Sequence, residues 1–433
     1  MSMMTESWRT PRVRNLGVIA LVLALAVALA APVAAIELTG SDTRYSLRLD
    51  TTLSWGALYR VSDRDPAIIS PFEGGTAWSV NGDDGNLNFD TGIVSNTLKA
   101  TVDLAFATTA GNHDLGFFVR GSGFYDFELM ADDCCARTEL TDAALDWAGN
   151  RVELLDAYAY WGFPLGAGRG QIRVGRQVLN WGESTFIPGG IGVTNPVDVS
   201  ALRVPGAELK EAYRPVGLVW ASADLSSNVS LEGYYQFEWE ETVIDPPGTY
   251  FSTNDFAGRG GTHVFLAFAS FPDTGESPFF MQPPVDFPFM GVPRGPDQEP
   301  EDGGQYGLAL RLFAPSLGGT EFGFYYVNYH SRLPTINGVT GTVAGAQAGA
   351  AAAPNAALAV YAAFGVPPGL SPQVDAAAMS AANAAAIAIF ANTANYVIAY
   401  PEDIKLYGFS WNAQLGTTGI AFQGEASYRQ DAP

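Results

Sequence analysis

The stretch GRQVLNWGESTFIPGGIGVTNPVDVS, Gly175 to Ser200, holds a Trp-Gly-Glu-Ser corner that places Ser184 just beyond a strand-like run. A serine nucleophile at such an elbow needs a glycine two residues further on and a helix after the turn, and neither follows Ser184. It also needs a base, and the sequence offers only His113, His263 and His330, none in a recognisable catalytic setting. Glu238, Glu240 and Glu241 are close enough for acid-base work but read most simply as a solvated strand face. The run Asp83 to Asp90 carries oxygen ligands at alternate positions, as a calcium loop does. It lacks the glutamate that completes an EF-hand, so a polar turn held by Asp and Asn side chains is expected instead. Cys134 and Cys135 are adjacent and are the only two cysteines. They could bond to each other or to another chain, but cannot staple a chain of this size, and no Cys/His set for zinc or haem exists. Enzymatic activity, a metal and a cofactor are therefore not expected.

The elements that would position these residues are strands. In TRYSLRLDTTLSWGALYRV the odd positions Tyr45, Leu47, Leu49, Leu53, Trp55, Ala57 and Tyr59 are apolar, while Arg44, Ser46, Arg48, Asp50, Thr52 and Ser54 fill the even ones. Period-2 alternation of this kind puts one apolar and one wet face on a strand. It recurs in SNTLKATVDLAFAT, NVSLEGYYQFEWEETV and QYGLALRLFAP, then in DIKLYGFSWNAQL and GIAFQGEASYR, giving roughly eleven or twelve segments between Tyr45 and Arg429. Charges at successive positions of one face suit a water-filled lumen, and aromatics near strand ends (Trp55, Tyr59, Tyr158, Tyr160, Trp161, Trp239) suit interfacial girdles. Connections alternate between short, as in Gly166 to Gly170, and very long, as in Val243 to Gly304. The expected fold is all-β, an antiparallel outer-membrane β-barrel with long external loops.

Compartment follows from the first thirty-five residues, where Arg9, Arg12 and Arg14 precede an apolar run from Leu16 to Ala31 and Val33-Ala34-Ala35 supply small residues for cleavage. That pattern reads as a signal peptide cleaved near Ala35, too short at about sixteen apolar residues for a spanning helix. Its removal takes away three arginines and one glutamate, moving the net charge from −22 to −24. Such an acidic chain is no partner for nucleic acid. From Val343 to Ala394 alanine dominates, punctuated by Pro354, Pro367, Pro368 and Pro372, and SPQVDAAAMSAANAAAIAIFANTANY reads as a helix. Residues 343–396 form an Ala-rich helical insertion, either a plug or lid at the barrel mouth or a passive loop.

The run GRQVLNWGESTFIPGGIGVTNPVDVSALRVPGAELKEAYRPVG, with DDGNLNFDTGIVSN and YPEDIKLYGFSWNAQLGTTGIAFQGEASYR, resembles the proteobacterial outer-membrane family called domain of unknown function 1302 (DUF1302). The resemblance spans the mature chain. It implies an outer-membrane β-barrel associated with the degradation or trafficking of hydrophobic compounds, often beside RND-type transporters and a periplasmic partner protein, and it carries no site residues. Barrels of this kind end in a strand closing on an aromatic residue, whereas this chain stops at Pro433. Further strands are expected beyond it.

Three functions compete. The first is a conduit for hydrophobic or amphipathic small molecules such as steroids, terpenoids, fatty acids or lipids, with Phe265, Phe268, Phe271, Phe279, Phe280, Phe287 and Phe289 of one loop as the binding patch. The second is a general porin, whose constriction would draw positive charge from Arg48, Lys99, Arg173 and Arg311 and negative charge from Glu238 and Glu240. The third is a non-transporting assembly partner that docks periplasmic or inner-membrane transport proteins through its short turns. Outer-membrane lipid is the expected surroundings in all three.

Overall fold

Alternating sequence becomes one wide sheet. The computed structural model describes residues 36–39, 45–184, 189–266, 290–414, 416 and 418–433. The leader, residues 1–35, and six of the seven loop phenylalanines, all but Phe265, lie outside the described residues. In chain order the strands are β1 (Ile36–Thr39), β2 (Tyr45–Arg60), β3 (Gly92–Ala110), β4 (His113–Asp126), β5 (Asn150–Leu165), β6 (Gly168–Gln177), β7 (Val216–Ser226) and β8 (Val229–Gln236). They continue as β9 (His263–Phe265), β10 (Gly291–Pro293), β11 (Gln305–Ala314), β12 (Thr320–Tyr329), β13 (Thr335–Val339), β14 (Asn395–Ala399), β15 (Ile404–Gln414) and β16 (Ala421–Gln430). Twelve of them form an antiparallel meander in the order β1-β2-β3-β4-β5-β6-β7-β8-β11-β12-β15-β16. The all-β expectation holds. Among the described residues no pairing joins β1 to β16, so the sheet is open.

Connections at one end of the sheet are tight, at 111–112, 166–167, 227–228 and 315–319, and at the other end long, at 61–91, 127–149, 178–215, 237–304 and 330–403. Hydrogen-bonded register aligns the faces across the whole meander. Leu53, Ala100 and Gly123 are paired partners on one face, as are Leu231 and Leu310, and Tyr326, Tyr407 and Tyr428. This face is apolar and open: Trp55 is 69% exposed and Tyr428 65%. Aromatic rings touch along it, Tyr326 to Tyr407 at 5.3 Å between centroids and Phe324 to Phe409 at 5.3 Å. The opposite face is the covered one, and it carries polar and charged groups beside an apolar core. Gln236 and Gln305, which pair across β8 and β11, are both 0% exposed, and Lys99 is 4% exposed.

The cover is the connection from β6 to β7, described as 178–184 and 189–215. This inner segment reaches from β2, where Pro205 lies over Gly56, to β16, where Glu183 and Ile191 meet Glu425. Because one segment touches strands near both edges, the polar face is concave. The segment's Trp181 and Ile191 form a core with Leu218, Trp220, Tyr234, Tyr325, Val327 and Leu406 of the sheet. Close approach is possible because the inward position on β11 is glycine: a Cβ on Gly307 would lie 2.5 Å from Tyr234 and 2.7 Å from Trp181.

Three aromatics expected at the interfacial girdles lie elsewhere. Tyr158 and Tyr160 share the inward register with Gly175 and Arg173, so only Trp161 of that trio faces out. Trp239 is buried, donating to the Ser331 carbonyl at 3.2 Å and meeting Tyr400 edge to face, because β8 ends at Gln236 and the chain bends into the cap. The alanine-rich segment is two helices, α1 (Val343–Phe364) and α2 (Pro372–Ala391), capped by Thr342 and Ser371. Pro354, read as punctuation, lies inside α1. The helices pack along each other through Val360, Ala378 and Ala381, and α2 sets Ala384 and Ala388 on Met290 and Leu266 beside β9 and β10. By length and composition α2 could cross a membrane.

Gly307→Ala should destabilise the protein by roughly 1–3 kcal/mol through overpacking against Trp181, whereas Gly338→Ala, which meets nothing, should be neutral. Denaturant unfolding of the two variants checks this.

Candidate functional site

The polar faces of the sheet and of the inner segment are joined by charged groups, each held by geometry that the strands impose. At the β3 side, Lys99 donates to Glu211 at 2.6 Å and to the Gly206 carbonyl at 2.9 Å, with both side chains buried. Beside it, Asp198 accepts from Ser200 Oγ at 2.6 Å and the Ala201 amide at 2.8 Å, and pairs with Arg151 at 3.1 Å. Arg151 also pairs with Glu153 at 3.0 Å, and Arg214 joins Glu153 at 3.1 Å to Glu240 at 2.5 Å. Arg176 completes the chain, bonded to Glu238 and, at 2.7 Å, to Glu240. Trp147 is the hub of this network. The guanidiniums of Arg259, Arg151 and Arg214 lie 3.9, 4.0 and 4.9 Å from its ring, and its indole N–H donates to Ser200 Oγ at 3.0 Å.

Burial would push the Glu240 carboxyl up, but Arg214 and Arg176 outweigh it and hold the group below the ordinary glutamate range. Arg332 shows the opposite balance: burial lowers it to about 10, although the guanidinium still donates to the Thr194 carbonyl and Gln236 Oε1, each at 3.0 Å. It remains charged at neutral pH and ties the inner segment to the end of β8.

At the β16 side, one carboxylate gathers three backbone donors. Glu425 accepts from the amides of Glu183 at 2.5 Å, Ser184 at 3.0 Å and Ile191 at 2.8 Å, while Arg429 and Ser427 donate to the carbonyls of Gly190 at 2.8 Å and Gly189 at 3.0 Å. Ser184 thus acts here through its backbone N–H. Glu232 plays a matching role on β8, accepting from the indoles of Trp181 at 2.9 Å and Trp220 at 3.2 Å and from Arg311 at 2.8 Å.

Of the six charges proposed to line a lumen, Arg48 pairs with Asp50 at 2.6 Å, Arg173 stacks 4.7 Å from Trp220, and Arg311 bridges Glu232 and Glu321. Lys99, Glu238 and Glu240 are spent on anchoring the inner segment and the strand ends. Phe265, the described member of the phenylalanine patch, is half-buried, with its backbone pinned by Asn81 at 2.6 and 2.9 Å. The Asp83–Asp90 run contains one helical turn, and Asn88 there accepts from the amides of Arg137 and Thr138 and donates to Gly248. Cys134 and Cys135 are bonded to each other beside Phe89, Leu129 and Leu140. Glu425, Glu232, Arg214 and Trp181 were not singled out from sequence. Their only signal was an isolated inward charge or ring on an otherwise regular strand or turn.

Two cavities lie at opposite ends of the sheet. A cavity of about 1160 Å³ opens at the tight-turn end, lined by Gly166, Asp224, Asn228, Arg311 and Glu321. Another of about 580 Å³ lies in the loop cap, and its floor strand, Thr242 and Val243, is hydrogen-bonded to Val197 and Val199 of the inner segment. Trp181 and Ile191 fill the inner face between the strands that lead from one to the other.

Glu425→Gln removes one acceptor oxygen and sets an NH₂ against a backbone N–H, so it should weaken the β16 anchor by roughly 2–3 kcal/mol. Faster hydrogen exchange at the Glu183, Ser184 and Ile191 amides would show it; unchanged protection would contradict the anchoring role. For Glu240, whose folded value is depressed, the stabilisation is complete above the ordinary value of 4.5 and is lost as pH falls through the folded value. Wild type should therefore lose stability relative to Glu240→Gln as the pH falls below about 4.5, measured by unfolding at each pH, and parallel profiles would contradict the assignment.

No curated protein matches this chain. The family described as "Protein of unknown function (DUF1302)" matches residues 16–433, and since that is essentially its whole length, the chain belongs to this family.

Proposed function

We propose that the sheet is the wall of an outer-membrane β-barrel that passes hydrophobic or amphipathic small molecules, with the inner segment as its internal gate. The observation that carries this reading is the apolar face that the sheet leaves open. A soluble sheet wets a polar face, whereas here Trp55, Leu231, Leu308, Phe324 and Tyr428 are open, and the charged and amide groups Lys99, Gln236 and Gln305 stand on the buried face beside its apolar core. Exposed apolar surface continuous over so many strands is stable against hydrocarbon and unstable in water. Tight turns at one end and long connections at the other match the periplasmic and external ends of such a barrel.

The cargo class is argued from the middle of the concave face. A porin for polar solutes needs a hydrated bore lined by polar groups. This face instead carries Trp181, Ile191, Leu218, Val327 and Leu406 at its centre, with a cavity of mixed lining at each end of the sheet. A molecule with an apolar body would pack against those residues once Trp181 and Ile191 move aside, Glu232 keeping Arg311 and Trp220 as partners.

The full chain reconstituted in lipid vesicles should take up a lipophilic fluorescent probe faster than empty vesicles, and Glu425→Gln should speed uptake several-fold by loosening the gate. Steady ion conductance without probe uptake would replace the conduit by a porin. A protein that stays in the aqueous phase would overturn the membrane reading itself.

A further inference from the structure

We infer that the loop-cap cavity is a receiving site for a cationic amphiphile, a small molecule with one amine or quaternary ammonium head and a hydrocarbon body. The inference rests on the conduit reading and names the cargo's charge. At about 580 Å³ the cavity is within the size range that encloses a drug-sized ligand. Its inner wall is apolar, made by Trp147, Val243, Ile244, Leu333, Pro334 and the ring of Tyr400. Burial, and then the neighbouring Glu241, raise the Tyr400 hydroxyl well above its ordinary range, so this wall carries no phenolate.

Charge at the mouth selects the head group. Four carboxylates, Asp146, Glu241, Asp297 and Glu299, and two guanidiniums, Arg259 and Arg294, line the cavity and leave a net charge of −2. Both guanidiniums are already committed. Arg259 pairs with Glu241 at 2.7 Å and stacks on Trp147, and Arg294 is bidentate on Asp297 at 2.9 and 2.7 Å while also donating to the Gly258 carbonyl. A ligand carboxylate entering here would face Asp146 and Glu299 with no uncommitted cation, whereas an ammonium would be drawn to them. The cavity floor touches the inner segment through Val243 and Val197, so a bound amphiphile would rest directly on the gate.

The test uses the full chain in zwitterionic phosphatidylcholine nanodiscs, with empty nanodiscs subtracted, and measures calorimetric binding of decyltrimethylammonium against decanoate below their micellar concentrations. Wild type should bind the cation at least roughly fivefold more tightly than the anion. The Asp146→Asn/Glu299→Gln variant, changed only at exposed carboxylates, should lose most of that preference. Equal or tighter binding of decanoate, or a preference that survives the double variant, would overturn the inference. If neither ligand binds while vesicle uptake of a neutral lipophilic probe persists, the inference fails alone; if uptake is also absent, the conduit reading fails with it.

Discussion

Everything in this structure depends on one constraint: a sheet whose open face is apolar must satisfy its polar face internally. Buried amides and charges without partners cost several kilocalories per mole each, so a concave surface bearing Lys99, Arg151, Glu153, Gln236, Gln305 and Glu425 cannot be left to a dry interior. The inner segment answers with matched groups. Its backbone amides meet Glu425, its Glu211 meets Lys99 and its Asp198 meets Arg151, while Asn195 donates to the Gln177 and Arg214 carbonyls at 3.0 and 2.9 Å. Because these contacts run from β3 to β16, the segment both fixes the curvature of the sheet and fills it.

The same constraint explains the cap. At the strand ends next to the long connections, Arg214, Arg176, Glu238 and Glu240 form a connected set in which each charge has a partner, and Trp147 presents its ring to three guanidiniums. Such a network is costly to break at one member, since the remaining charge is left buried. It is also what shapes the outer cavity, because Arg259, Glu241 and Trp147 are at once members of this set and lining residues. Rigidity of the scaffold and the form of the candidate binding site are therefore products of the same side chains.

Much of the wall was legible in the sequence and little of its contents. Alternation in Tyr45 to Tyr59 or Gln305 to Ala314 determines face by side-chain period alone, and the structure places Leu53, Leu308 and Leu310 outward and Lys99 and Arg311 inward as that period requires. Gly175 to Ser200 was harder. Glycine, proline and asparagine mark a chain leaving a sheet, but they do not say that it turns back across the concave face, because that depends on partners as distant in sequence as Glu425 and Pro205's neighbour Gly56. Trp239 misled for a related reason: alternation continues past Gln236 although the ladder stops there, Gln236 Nε2 donating instead to the Glu238 carbonyl. In the alanine-rich insertion, Pro367, Pro368 and Ser371 mark the start of α2, but the sequence does not show that α1 runs through Pro354 to its end at Gly365, which adopts the left-handed conformation.

The central claim is that the open apolar face meets lipid. With Cys134 and Cys135 bonded to each other and no free cysteine among the described residues, single spin labels can be placed at Leu308, Leu310 and Leu312, all outward on β11. Collisional relaxation of each label by oxygen and by a water-soluble nickel chelate, in the chain reconstituted into vesicles, reads the surroundings directly. The account predicts high oxygen and low nickel accessibility at all three, deepest at the position nearest the bilayer midplane. High nickel accessibility along the row would place this face in water and contradict it.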